Sequence, residues 1–131
     1  MLTGQCHCGA VKYAMSAETL HSALCHCSDC RRHSGAPVVG WGLVRNDQIT
    51  IEGETRVYAS SEHGRRHFCP QCGTSLFYTN ETIFPAMTDV QIATLDDPDA
   101  IAPQAQIQVA DRIGWMATAD QLKCFDRFPE H

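Results

Sequence analysis

Seven of the eight cysteines in this chain stand in three short runs. They are Cys6-His7-Cys8-Gly9, Cys25-His26-Cys27-Ser28-Asp29-Cys30 and Cys69-Pro70-Gln71-Cys72-Gly73. Cysteines this close aim two sulfurs at one point when the backbone turns tightly, which is how a thiolate metal site is built. Pro70 fixes one φ angle, and Gly73 permits the left-handed backbone that turns N–H groups toward sulfur. The pairs Cys6/Cys8 and Cys69/Cys72 together make a complete tetrahedral zinc site. It would tie the N-terminus to the middle of the chain, which is a structural duty. The triplet Cys25, Cys27 and Cys30 is one ligand short. It can hold a second zinc and leave the fourth position to water or substrate. The expectation is two zinc ions per chain.

Charge decides what such an open site is good for. Three thiolates on one Zn²⁺ leave a net charge near −1, which weakens the metal as a Lewis acid. The site suits holding a substrate thiol as its thiolate, a nucleophile toward a small carbonyl. The chemistry it favours is making or breaking carbon–sulfur bonds. On residues alone, other readings of the triplet stay open. His26, His33, Asp29 or Cys124 could close it, or the thiols could form a redox pair. A non-catalytic zinc scaffold that binds a protein partner is the alternative function.

Neighbouring residues are weighed the same way. Arg31, directly after the triplet, could offset the anionic site or grip a substrate carboxylate, as could Arg32; a solvated helix end is the plainer reading. Arg65 and Arg66 invite the same pair of readings, with support to the four-cysteine site added for Arg66. His7 and His26 lie between ligands, so alternation points them away from the metal. No general base is assignable. Trp41, Phe77 and Trp115 read as core residues that could line a pocket, and Cys124 as a buried apolar residue. Asp96-Asp97-Pro98-Asp99 reads as a solvated turn, without the glycine and glutamate of a calcium loop.

The elements that must position these residues are short strands between turns. Strand signals fall at residues 10–14, 21–25 and 38–44, the last with two glycines that imply close packing or a bulge. Residues 49–52 and 55–60 around Gly53-Glu54 read as a hairpin. Strands at 66–69 and 74–78 flank the third cysteine run. Ser28 to Ser34 reads as a helix of one or two turns, with Ser28 as N-cap and Gly35 and Pro37 ending it. Gln104–Val109 reads as a last strand, and residues 117–122 as a short terminal helix. The whole is a mainly β single domain over residues 1–131, with helices as accessories.

Composition bounds the rest. At 44% apolar residues a core is affordable without metal. A net charge of −5 and a pI near 5.7 argue against nucleic acid or an acidic membrane as partner. No signal peptide or membrane span is read, so the cysteines are expected in the reducing cytoplasm, bound to metal rather than paired as disulfides.

The full pattern resembles a known family. Gly4-x-Cys6-x-Cys8-Gly9-x-Val11-x-Tyr13 is followed by Cys25-His26-Cys27-x-x-Cys30-Arg31 and Arg66-x-Phe68-Cys69-x-x-Cys72-Gly73. Leu95-Asp96-x-Pro98, Trp115 and Leu122-x-x-Phe125 complete it. It is similar to the glutathione-dependent formaldehyde-activating enzymes, a family that includes a centromere-associated branch (centromere protein V). The resemblance implies an Mss4-like β-tent, a structural zinc on Cys6, Cys8, Cys69 and Cys72, and a catalytic zinc on Cys25, Cys27 and Cys30. It implies small-molecule partners, a thiol and an aldehyde, joined as S-(hydroxymethyl)glutathione in the family reaction. The departures are a shorter chain, Gln106-Ile107 where a His-Ile pair is usual, and Leu122-Lys123-Cys124-Phe125 where Leu-Pro-x-Phe is usual.

Overall fold

A computed structural model describes residues 1–129. Ten strands form two sheets. The smaller has the order β1-β2-β5, from Leu2–Gln5, Lys12–Met15 and Ile49–Glu52. The larger has seven strands in the order β10-β3-β4-β9-β8-β7-β6. These are β3 (His21–Cys25), β4 (Val39–Arg45), β6 (Arg56–Ala59), β7 (Gly64–Phe68), β8 (Ser75–Asn80), β9 (Met87–Gln91) and β10 (Ala105–Ile107). Neighbours are antiparallel except β10, which runs parallel to β3. The mainly β reading with small helices holds. Among the described residues the single α-helix is α1, Ser28–Ser34, ended by Gly35 in the left-handed conformation at φ 66°. Short 3₁₀ turns, one of them Gly114–Gln121, make up the remaining helical structure.

Period-two alternation gives the large sheet two different faces. One face presents Val44, Val90 and Phe77 to Val11, Tyr13 and Met15 of the small-sheet side, and all six are buried. Ile92 lies on that face against β4, and a Cβ at Gly40 or Gly42 would stand 3.1 or 2.9 Å from it. The two strand glycines therefore mark a close approach. The opposite face carries Cys25, Trp41 and Val39, which join Cys30 of α1 in a second apolar cluster. Burial on both faces is why β4 reads as a nearly continuous apolar run.

Two expectations fail. Residues 49–60 are not a hairpin: β5 pairs with β2, and β6 pairs with β7 in the other sheet. Gly53, at φ 93°, lies where an added Cβ would run into the Ala10 carbonyl, because β5 ends alongside β2 with Glu52 opposite Lys12. Ser28 is not the N-cap of α1. Cys27 is, its sulfur accepting from the Cys30 N–H at 3.3 Å.

Candidate functional site: two thiol clusters

The four-cysteine cluster forms where two turns meet. Cys6 and Cys8 follow β1, and Cys69 and Cys72 follow β7. Gly9 at φ 81° and Gly73 at φ 82° give both turns the same left-handed exit. The Val11 N–H donates to Cys6 Sγ at 3.3 Å, and the Gln71 and Cys72 N–H groups to Cys69 Sγ at 3.4 and 3.5 Å. The four sulfurs lie within 4.8 Å of one another. Cys6 and Cys69 are wholly buried in the main core, so this cluster is part of the packing between the sheets.

The second cluster lies on the other face of the large sheet. Cys25 ends β3, Cys27 caps α1, and Cys30 is in its first turn. Their sulfurs also converge within 4.8 Å, and among the described residues no fourth Cys, His, Asp or Glu joins them. The proposed closers are engaged elsewhere or exposed. His26 Nε2 donates to Gln106 Oε1 at 2.9 Å, His33 Nδ1 meets Ser75 Oγ at 3.0 Å, and Asp29 and Cys124 are exposed. The exposure of Cys124 corrects its reading as a buried residue.

Both donor sets fit zinc. A zinc–sulfur bond of about 2.3 Å puts tetrahedral sulfurs about 3.8 Å apart. The Cys6–Cys8, Cys8–Cys69 and Cys25–Cys30 sulfur separations are 3.7, 3.8 and 3.6 Å. Backbone N–H groups directed at sulfur favour the thiolate form that a metal requires.

The triplet opens into a cavity of about 400 Å³, walled by Trp41, Arg66, Tyr78 and Asp89. Sheet register explains the gathering. Leu43, Asp89, Tyr78 and Arg66 are successive partners across β4, β9, β8 and β7, so their side chains share the face that α1 covers. Arg66 is buried and donates to Cys30 Sγ at 3.6 Å and to Ser60 Oγ at 3.1 Å. Its guanidinium lies 4.8 Å from the centre of the Tyr78 ring. The hydrogen bond with Cys25 brings the Cys30 thiol down to about 5 despite burial, with Cys27 and the Arg66 charge adding to it. Arg66 thus serves the triplet and not the four-cysteine cluster, although it precedes Cys69 by three residues.

Arg31 lies apart from this cavity. Its Nε donates to the His26 carbonyl at 3.2 Å, and its side chain joins Arg32 and Trp115 around a shallow hollow beyond the helix. Of the three aromatic residues singled out in the sequence, Trp41 walls the thiol cavity, Phe77 is core, and Trp115 is exposed. Asp89 escaped the sequence reading. It is 6% exposed, and its Oδ1 has no hydrogen-bond partner. Burial first, and then the charge of Cys30, push its carboxyl up to about 7. The sequence signal was weak, a single acidic residue in the non-alternating segment Met87-Thr88-Asp89-Val90.

The sequence pattern of one family, the glutathione-dependent formaldehyde-activating enzymes, matches residues 1–111. The chain belongs to that family. The match takes in all seven clustered cysteines, Arg66 and Asp89, and stops short of Trp115. A Halomonas elongata protein provisionally named a glutathione-dependent formaldehyde-activating enzyme is 25% identical, over 99% of this chain and 90% of its own. An uncharacterized lyase of Schizosaccharomyces pombe is 32% identical over 59% of this chain, which spans only 58% of that relative. The crystal structure of a Rhodobacter sphaeroides protein superposes with a TM-score of 0.60 at 25% identity, covering 80% of this chain and 99% of that one.

Proposed function

We propose that this family member is a zinc-dependent enzyme of carbon–sulfur bonds. It adds a thiol such as glutathione to a small aldehyde such as formaldehyde, or runs the reverse reaction. The observation that carries the reading is three converging cysteine sulfurs with no fourth protein ligand, facing a cavity. In this reading Cys6, Cys8, Cys69 and Cys72 hold a structural zinc, and Cys25, Cys27 and Cys30 a catalytic one. A zinc on the triplet supplies a free coordination place at which a substrate thiol is kept deprotonated. Arg66 offsets the negative charge of the cluster from the buried side. Trp41 and Tyr78 give the cavity apolar walls that limit water around a thiolate and an aldehyde.

The test is adduct formation followed by NMR, with formaldehyde and a panel of thiols, on metal-loaded protein. The expected result is acceleration with at least one thiol and about two zinc ions per chain. Cys27→Ser should lose one zinc and the acceleration while keeping the fold. Cys72→Ser should lose the other zinc and destabilise the chain. No acceleration with any thiol by a chain holding both metals would leave a zinc scaffold as the better description.

A further inference from the structure

We infer that Asp89 is the catalytic acid and base of the thiol cavity, giving a proton to the aldehyde oxygen as the carbon–sulfur bond forms and removing it in reverse. The inference rests on the thiol–aldehyde reading above. Sulfur attack on a carbonyl moves the π pair onto oxygen, and that oxygen must end as a hydroxyl. The thiolate has already given up its own proton. A second group must therefore stand in the cavity with a proton to deliver.

The cavity offers few candidates. His21, Asp29, Arg66, Tyr78, Asp89 and Asp111 are its ionisable residues besides the cysteines. Asp29 and Asp111 are exposed at the cavity mouth, open to bulk water. The Arg66 guanidinium is committed to Cys30 and Ser60. The Tyr78 hydroxyl accepts from Asn80 Nδ2 at 3.1 Å, and the His21 ring leans on Phe84 with centroids 6.2 Å apart.

Asp89 differs from all of these. It projects from the centre of the large sheet, between β4 and β8, on the face that carries the triplet. Among the described residues, its Oδ1 is one of two buried side-chain polar atoms without a partner; the other, His26 Nδ1, does not line this cavity. A buried carboxyl without partners costs free energy and is retained in a fold chiefly where function needs it. Its environment keeps the acid form accessible near neutral pH, which a proton donor requires.

The step balances without any further reactant. The sulfur lone pair forms the carbon–sulfur bond, the carbonyl π bond breaks, and the oxygen takes the Asp89 proton. The proton the thiol released restores the carboxyl through solvent. In reverse, the Asp89 carboxylate takes the hydroxyl proton, the carbon–sulfur bond breaks, and aldehyde leaves with the thiolate left behind.

The experiment compares metal-loaded wild type with Asp89→Asn, using formaldehyde and the thiol that wild type accelerates. Formation and breakdown rates, zinc content and thermal midpoint are measured. We expect kcat to fall by about 100-fold or more in both directions. KM for the thiol should stay within about threefold, zinc content should be unchanged, and the midpoint should be equal or higher, because a costly buried carboxyl has gone. Turnover within about fivefold of wild type would overturn the inference. So would a variant that sheds zinc or unfolds, since that would make Asp89 a structural residue. Wild type that accelerates no thiol would refute the proposed function instead, so the two failures are distinct.

Discussion

Replacing Arg66 by methionine tests whether the buried guanidinium belongs to the metal chemistry of the triplet. The guanidinium nitrogen lies 3.6 Å from Cys30 Sγ. Two unit charges at that distance attract by about 4–5 kcal/mol at an effective dielectric constant near 20. Keeping Arg66 buried, at 4% exposure, returns several kcal/mol of that as lost hydration. The surplus is about 1–3 kcal/mol, or about 10–100-fold in zinc affinity at this site alone. Methionine conserves much of the volume and leaves no buried charge, so thermal stability should change little. The assay is competitive titration with a chromophoric chelator, which should withdraw zinc in two steps. The weaker step should move by 10–100-fold in Arg66→Met and the tighter step should stay. If neither step moves, the Arg66–Cys30 contact does not tune the metal. If both move together, Arg66 acts through the fold, and the division of the cysteines into independent sites is wrong.

Two further predictions concern the sheet that carries the site. Gly42→Ala would place a Cβ 2.9 Å from Ile92 Cγ2 and 3.3 Å from Thr19 Cγ2. It should cost about 1–3 kcal/mol in urea unfolding, and an unchanged midpoint would show that Ile92 yields freely. Asp89 makes stability depend on pH. Its carboxyl is pushed up to about 7 by burial and by the Cys30 charge, against an ordinary value near 3.8. Between those values the folded state holds the extra proton, so stability falls as pH rises toward about 7 and levels off above it. The other ionisable groups facing the same cavity are His21, Asp29, Arg66, Tyr78, Asp111 and the three cysteines of the triplet. The stability advantage of Asp89→Asn over the parent should grow by roughly 1 kcal/mol per pH unit from pH 5 to 7. Parallel curves would show that Asp89 ionises in the fold as it does in water.

Local features of the sequence carried local features of the structure. The cysteine spacings announced both clusters because each turn is made by adjacent residues. Gly35 and Gly73 announced their positive φ values for the same reason. Features that depend on strand register were hidden. Arg66 and Asp89 come to one cavity through pairings across β7, β8 and β9, and nothing within either strand reports its neighbours. The position of Arg66 next to the third cysteine run left both clusters open to it, and alternation in β7 turns its side chain to the face of the triplet. The Gly53-Glu54 hairpin was plausible from its two-residue spacer, but each flanking strand found a better partner in a different sheet. The first strand, Leu2–Gln5, is too short and polar to stand out, and is held by pairing with β2 and a bridge from Gly4 to Leu95.

The two clusters differ in how much chain must be organised before they exist. Cys25, Cys27 and Cys30 fall within one strand end and one helical turn, so a chain still emerging from synthesis can bring them together by closing a loop of a few residues. Cys8 and Cys69 are 61 residues apart, and their cluster needs the turn after β1 and the turn after β7 brought together. If both clusters hold zinc as proposed above, metal supplied during synthesis meets the triplet first. On that reading the triplet competes, when zinc is scarce, with the four-cysteine cluster that would staple the fold. A cell short of zinc would then lose this protein through failed assembly before it lost any activity from chains already folded.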